Sequence, residues 1–233
     1  NDMDRKSKYS VSELKHDSMV EKYDKMNAEA EIPEFLAPER DSYVPAFVLE
    51  NPQETSNEQV NPGALRGTAV HRVMECLDFS RILEIDIEDK VQVNEFIRSQ
   101  LEEMKSSGHI SEDMCDRVPN HMLYDFLRNP IALRMAEADK KHMLFKEKPF
   151  VMDKDGVLIQ GIIDVFWIEN DNIVLLDYKT DRVEKSDELI ARYKTQLDLY
   201  ADALARIFST NERKMHAEES LIYSFRLKEV IEI

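Results

Sequence analysis

Cysteine is scarce in this chain: Cys76 and Cys115 are the only two among 233 residues. Two thiols cannot build a disulfide framework or a four-thiolate iron–sulfur cluster. Cys76 lies on a predicted helix and reads as a small core residue. No run of about 18 apolar residues occurs, so no membrane-spanning helix is written here. The N-terminus lacks a basic-then-apolar signal pattern, and the chain is expected to be cytoplasmic. It also lacks an initiator methionine, which suggests a piece of a longer chain. No Gly-x-x-x-x-Gly-Lys-Ser/Thr motif is present, so any nucleotide-driven motor of that type lies elsewhere. Positive charge is short as well, with 31 Lys+Arg against 47 Asp+Glu and a formal net charge of −16. A free-standing nucleic-acid binder usually carries a basic patch, because neutralising phosphates supplies most nonspecific affinity.

What is present suffices for one substantial core, since 42% of the residues are hydrophobic. Residues 1–61 read as a polar arm: a helix over Val11–Met26, then a proline-punctuated connector over Ile32–Asn61. Residues 62–233 read as the folded domain. Its first helix, over 63–78, buries Val70, Val73, Met74 and Leu77 at helical spacing. Gly67, His71 and Glu75, four apart, line one face beside that stripe. Helices over Ile87–Ser106, Ser111–Leu127 and Ile131–Asp139 follow, the last two separated by Asn129-Pro130. A strand over His142–Met152 contains Glu147 and ends in the turn Asp153–Gly156. A helix over Ser186–Ser209 has Gln196 on its buried stripe, and strands over Ser220–Leu227 and Val230–Ile233 close the chain. This order predicts an α/β domain of three layers, a mixed central β-sheet flanked by helices.

The candidate chemistry sits on two hydrophobic strands, Val157–Ile168 and Ile173–Lys179, joined through Glu169-Asn170-Asp171-Asn172. Asn170-Asp171 suit the two central positions of a tight hairpin turn, because both tolerate positive φ. That register pairs 169 with 172 and 168 with 173, and continued outward it sets Asp164 opposite Asp177. Directly opposed like charges repel, so two carboxylates facing each other among apolar neighbours call for a cation between them. Lys179 shares the face of Asp177 by strand alternation. The bland alternative is a solvated acid beside an ordinary surface ion pair. Ile162 and Phe166 on the face of Asp164, and Leu175 on that of Asp177, argue against a wet surface. Gln196 on a core stripe must find hydrogen-bond partners, which a structural amide or a phosphate-contacting one would both do.

Gly67-x-x-x-His71, Gly161-x-x-Asp164, Asp177-Tyr178-Lys179-Thr180-Asp181 and Gln196-x-x-x-Tyr200, in that order, resemble the RecB-like branch of the PD-(D/E)XK nucleases. The resemblance runs from about residue 62 to the C-terminus. Within the branch, Ser10–Lys15 and Tyr223-Ser224-Phe225 resemble the nuclease region at the end of AddA-type helicase-nucleases. The resemblance implies the three-layer PD-(D/E)XK fold and phosphodiester hydrolysis dependent on Mg2+, with Mn2+ as the other candidate. It implies His71, Asp164, Asp177 and the Tyr178 carbonyl as metal ligands. Asp164, Asp177, Lys179, Gln196 and Glu147 would be catalytic, with Gln196, Tyr200 and Thr180 contacting DNA. Glu147 enters because members have a glutamate in the strand before the metal hairpin; a surface ion pair would look the same. Several members carry an iron–sulfur cluster, which this chain cannot build alone. The implied partners are single-stranded DNA delivered by an attached AddA-type helicase region, and a separate AddB-type protein. Rival readings are a nuclease-fold scaffold with a degenerate site and a hydrolase of small phosphoesters.

Overall fold

The computed structural model describes residues 8–10 and 62–233; the expected helix over 11–26 and the connector over 32–61 lie outside them. The element order is β1 (Lys8–Ser10), α1 (Pro62–Cys76), a 3-10 turn (Phe79–Glu84), α2 (Lys90–Ser106), α3 (Glu112–Arg117), α4 (Asn120–Leu127) and α5 (Pro130–Lys140). Then come β2 (Leu144–Lys154), β3 (Val157–Glu169), β4 (Asn172–Lys179), α6 (Ser186–Phe208), β5 (Ala217–Ser224) and β6 (Glu229–Glu232).

Local chemistry explains most boundaries. Asp89 caps α2 by accepting the Val91 N–H at 2.8 Å, and Asn129 caps α5 by accepting the Ile131 N–H at 3.0 Å with Pro130 in the first turn. The single helix expected over 111–127 is two. Pro119 cannot donate to a continuing helix, and the preceding Val118 is extended (φ −100°, ψ 100°), so α3 stops at Arg117 and α4 restarts at Asn120. Both strand hairpins turn on two residues with positive φ: Asp155 (55°) and Gly156 (79°) between β2 and β3, then Asn170 (49°) and Asp171 (69°) between β3 and β4.

The sheet is mixed. β2–β3, β3–β4 and β5–β6 pair antiparallel, whereas β4–β5 and β1–β3 pair parallel. β2 runs along one edge of β3 from Val157 to Trp167. The opposite edge of β3 is shared: β1 takes Leu158–Gln160, and β4 takes Val165–Glu169. Among the described residues no strand fills that edge between them, and Asp164 stands where β4 peels away. Lys8–Ser10 thus belongs to the sheet, although its sequence neighbourhood reads as an arm.

Two cores sandwich the sheet. On one side Val70, Val73, Met74 and Leu77 of α1, with α2, α4 and α5, bury Val165, Trp167, Val174, Leu176, Tyr178, Leu221 and Tyr223. On the other, Leu189, Leu197, Tyr200 and Leu204 of α6 cover Ile163, Phe166, Ile173, Leu175 and Ile222. The three-layer α/β arrangement expected from the element order is the one found. Arg134 of α5 ties the helical layer to the far end of the hairpin, reaching Glu169 at 2.7 Å and Glu219 at 2.5 Å while lying over the Trp167 ring at 5.5 Å.

Facing does not alternate evenly along the site strands. In β3, Val165 and Trp167 pack toward α1–α5 and Phe166 toward α6, yet Ile159 and Ile163 also pack toward α6. In β2, Phe145 packs toward α6, as do Phe150 and Met152. Both strands therefore exchange faces at the row holding Glu147 and Asp164, and Glu147 takes a left-handed φ of 48° there. Strict alternation predicted Ile162, with Phe166, as an apolar neighbour of Asp164; Ile163 packs toward α6 instead, and Ile162 belongs to neither core. Backbone irregularities of this kind re-aim side chains and cluster near functional sites.

Candidate functional site

The hairpin turn fixes the register at Glu169↔Asn172, and pairing continues to Val165↔Leu176, so the next row brings Asp164 to Asp177. On the other side of β3, Lys146↔Val165 and Lys148↔Ile163 bracket Glu147 opposite Asp164. Three acids from three adjacent strands, Glu147, Asp164 and Asp177, thus form one row across the sheet.

Asp164 does not continue the ladder in the usual way. Its Oδ2 accepts the Tyr178 main-chain N–H at 2.8 Å, which satisfies the donor that β4 exposes as it diverges. Because β3 changes facing at this residue, the carboxylate also meets α1. His71 Nδ1 lies 3.5 Å from Asp164 Oδ2 and 3.8 Å from Glu147 Oε1. Ligand atoms of His71, Glu147 and Asp164 all fall within 4.8 Å of one another, a set that could hold a metal ion. Asp177 stands outside that set in this arrangement, with its oxygens engaged by Lys179 Nζ at 2.5 Å and the Gln196 amide at 3.2 Å.

α1 can bring His71 this close because it packs tightly at Gly67. A Cβ added to Gly67 would lie 3.2 Å from Thr180 Oγ1, closer than most side chains tolerate. The face Gly67–His71 therefore rests on the end of β4, and the His71 ring meets the Tyr178 ring edge-on at 6.0 Å. Glu75, on the same face by spacing, instead pairs with Arg72 at 2.6 Å.

The other wall is α6. Gln196 donates to Asp177 Oδ1 and, at 3.1 Å, to the Tyr200 hydroxyl. Tyr200 is only 6% exposed and sits edge-on to Phe150, so its visible action is on Gln196. Lys179 Nζ lies 4.1 Å from the centre of the Tyr193 ring, and the Tyr193 hydroxyl donates to Asp181 Oδ1 at 2.8 Å. Tyr193 was not among the site residues expected from the sequence. Its spacing of three before Gln196, which shares its helix face, was the available signal.

Burial sets the electrostatics. Asp164 is 7% exposed and Asp177 1%. Desolvation pushes Asp177 up to about 6, helped by Asp164 and opposed by Lys179. Desolvation likewise pushes Glu147 up to about 7, against the pull of His71. Burial alone would lower His71, but Asp164 and Glu147 more than reverse it and raise it to about 10. Burial also opposes ionisation of Asp164, yet His71, Lys179 and the Tyr178 N–H hold its carboxyl below the usual carboxylate range. The imidazolium thus supplies positive charge where a divalent cation would otherwise do so.

The donor set fits such a cation. Carboxylate oxygens suit Mg2+ and Mn2+, and an imidazole suits Mn2+ better than Mg2+. Buried Glu147 Oε2 has no hydrogen-bond partner among the described residues, an arrangement a bound cation would resolve.

Several known proteins with similar sequences carry the name of the A subunit of an ATP-dependent helicase/nuclease. The chain is 32% identical over 186 residues to the protein of that name from Clostridium novyi (strain NT), covering 72% of this chain and 14% of the relative. It is 31% identical over 208 residues to the one from Clostridioides difficile (strain 630), covering 79% of this chain and 15% of the relative. It is 29% identical over 251 residues to the one from Clostridium perfringens (strain 13 / Type A), covering 97% and 18%. The chain therefore spans less than a fifth of the length of these relatives. A family model for the PD-(D/E)XK nuclease superfamily matches residues 45–230. With that match lying over strands β2 to β5, the acid row and the histidine helix, the chain belongs to the PD-(D/E)XK nuclease superfamily.

Proposed function

We propose that this chain is the deoxyribonuclease domain of a helicase-nuclease, hydrolysing phosphodiesters of unwound single strands as an exonuclease during double-strand-break processing. The observation that carries the reading is the convergence of His71, Glu147 and Asp164 within 4.8 Å beside the Asp177–Lys179 pair. The relatives are named as the A subunit of an ATP-dependent helicase/nuclease, which supports a larger context of an attached AddA-type helicase region and an AddB-type partner.

Asp164 and Asp177 would hold Mg2+ or Mn2+ with His71, the Tyr178 carbonyl and the free oxygen of Glu147 completing the set. Such an ion lowers the pKa of a water enough for attack on phosphorus at neutral pH. Lys179, braced between Asp177 and the Tyr193 ring, orients the attacking water and offsets charge on the phosphorane-like transition state. Gln196 fixes the Asp177 carboxylate, and Tyr200 fixes Gln196. Thr180, packed against Gly67 at the end of β4, would contact the strand beside that junction.

The −16 charge favours delivery of the strand by a partner over capture by the domain itself. The presence of the acids, lysine, histidine and glutamine together supports a working site over a degenerate scaffold. The decisive experiment is incubation of the chain with end-labelled single-stranded DNA, with and without Mg2+ or Mn2+. Metal-dependent release of labelled products supports the reading, and intact DNA at high enzyme concentration with either ion rejects it.

A further inference from the structure

In so acidic a chain, a guanidinium without a carboxylate is unusual. Most described arginines have one: Arg117 meets Asp113 at 2.8 Å, and Arg206 meets Asp202 at 2.9 Å. Arg66, Arg98, Arg182 and Arg226 do not, and among the described residues no hydrogen bond, ion pair or ring contact engages their side chains. Arg98 is exposed on α2, lying among Glu95, Glu102 and Glu103 without pairing to them. The other three gather about the end of β4.

Arg66 precedes Gly67, the residue that seats α1 on Thr180. Arg182 lies two residues beyond Thr180 and is exposed. Arg226 follows Phe225, whose N–H donates to the Lys179 carbonyl at 2.9 Å, so it too flanks the end of β4. Arg66 is the most telling of them, because its Nε is buried and makes no hydrogen bond. A charged donor taken from water without an acceptor costs stability, and natural proteins seldom keep one without a reason.

The placement says what the acceptor would be. Arg66 is five residues before His71 on the same helix, roughly 7.5 Å along its axis at 1.5 Å per residue and about 140° around it at 3.6 residues per turn. The axial offset is about one step along an extended nucleic-acid backbone, and the long arginine side chain has to reach round the helix to meet a strand at the His71–Asp164 row. Arginine is well suited to phosphate, because its planar fork donates two hydrogen bonds at once.

We infer that Arg66, with Arg182 and Arg226 beside it, forms an anion track at the end of β4 that holds backbone phosphates of a single strand next to the scissile one. The inference rests on the nuclease reading for its ligand and goes beyond it in assigning the residues that hold the strand. The rest of the chain is acidic, so the track gives a local, directional grip while overall affinity stays low. A strand entering from a partner would be caught only where these arginines meet the metal row.

The test is single-strand binding with metal chelated, so that neither cleavage nor a bound ion contributes. Affinity of a fluorescein-labelled thymidine oligonucleotide is measured over a salt series for the parent chain, Arg66→Ala, Arg182→Ala, Arg66→Lys and the control Arg98→Ala. Each phosphate contact contributes about 0.7 to the slope of log affinity against log salt for single strands. Arg66→Ala and Arg182→Ala should each lower the slope by about that amount, with Arg98→Ala matching the parent. Arg66→Lys should keep the slope and lose affinity, because the charge remains and the fork does not. Arg182→Ala removes an exposed side chain and keeps the test open should Arg66→Ala fold poorly. An unchanged slope in Arg66→Ala and Arg182→Ala, or an equal drop in Arg98→Ala, overturns the inference. Metal-dependent cleavage by the parent chain in a parallel assay would then show that the nuclease reading stands without it.

Discussion

Glu147 on β2 faces Asp164 on β3 at the row where both strands exchange the faces of their side chains. In an evenly alternating sheet, a carboxylate directed at Asp177 and α6 would be shut off from a histidine on the opposite layer. The exchange lets Asp164 meet His71 while it remains next in register to Asp177. Backbone irregularity and acid placement therefore belong to one device.

Removing one acid from this row should separate stability from activity. Asp164→Asn and Asp177→Ala should each reduce metal-dependent cleavage by at least about a thousandfold, roughly 4 kcal/mol of transition-state stabilisation. Without metal both variants should fold, and Asp177→Ala should melt close to the parent, because the relief of repulsion with Asp164 is offset by the loss of the Lys179 ion pair. Full activity in either purified variant would reject the site.

The titration of the row predicts a pH slope. Glu147 (about 7), Asp177 (about 6) and His71 (about 10) all hold protons more tightly folded than unfolded. For the two acids, stability is fully present below the unfolded value near 4 and is lost as pH rises through 6 to 7. His71 contributes in the same direction, fully below about 6.5 and fading toward 10. With metal chelated, the melting temperature should fall between pH 5 and pH 8, as scanning fluorimetry can record. A melting temperature that climbs steadily over that range would contradict the arrangement.

Metal should act against that slope. A cation must displace these protons, so its affinity should rise with pH. Millimolar Mn2+ should raise the melting temperature more at pH 8 than at pH 6, by mass action on the folded state. Asp164→Asn should show little or no shift. An equal shift in parent and variant would place the ion elsewhere.

Lys179 is expected to serve catalysis without holding metal. Lys179→Ala should keep the Mn2+ melting shift and lose cleavage by about a hundredfold or more, the scale of removing one charge-stabilising donor. Tyr193→Phe keeps the ring beneath the ammonium and should stay within about threefold of the parent. Tyr193→Leu should lose about tenfold in single-turnover rate, since a cation–π contact in a desolvated site contributes roughly 1–2 kcal/mol. If Lys179→Ala instead lost the metal shift, the lysine would be a brace for the carboxylates alone.

Context supplies the last expectation. Isolated, the chain should bind single-stranded DNA weakly at physiological salt and cut it only at high enzyme concentration or with Mn2+. Joined to a helicase that feeds a strand past Arg66 and His71, the same residues should cut efficiently, because tethering raises effective concentration. Tight binding by the isolated chain, measured by fluorescence anisotropy, would contradict this.

Much of the molecule was legible because its signals are local. Asn170-Asp171 accept positive φ, and that alone fixed the hairpin register and brought Asp164 to Asp177. Helical spacing picked out Val70, Val73, Met74 and Leu77, all buried as expected, and set His71 on the face that begins at Gly67. The break at Pro119 was written in the chain too, since a proline lacks the donor a helix interior needs, but the single helix expected over 111–127 passed over it.

Other features were decided only by tertiary packing. Ile163, and not Ile162, joins the core because β2 and β3 exchange faces where two apolar layers press on the sheet from opposite sides; period-two reading carries no record of that. Lys8–Ser10 becomes a strand because β3 offers an open edge there, a pairing partner far away in sequence. The grouping of Glu147 with His71, the bracing of Lys179 by Tyr193 and the lack of partners around Arg66 likewise depend on which elements meet. Turn chemistry and periodicity act over a few residues, so sequence determined most of the elements and the acid pair. Long-range packing decided which side chains share one buried, charged space.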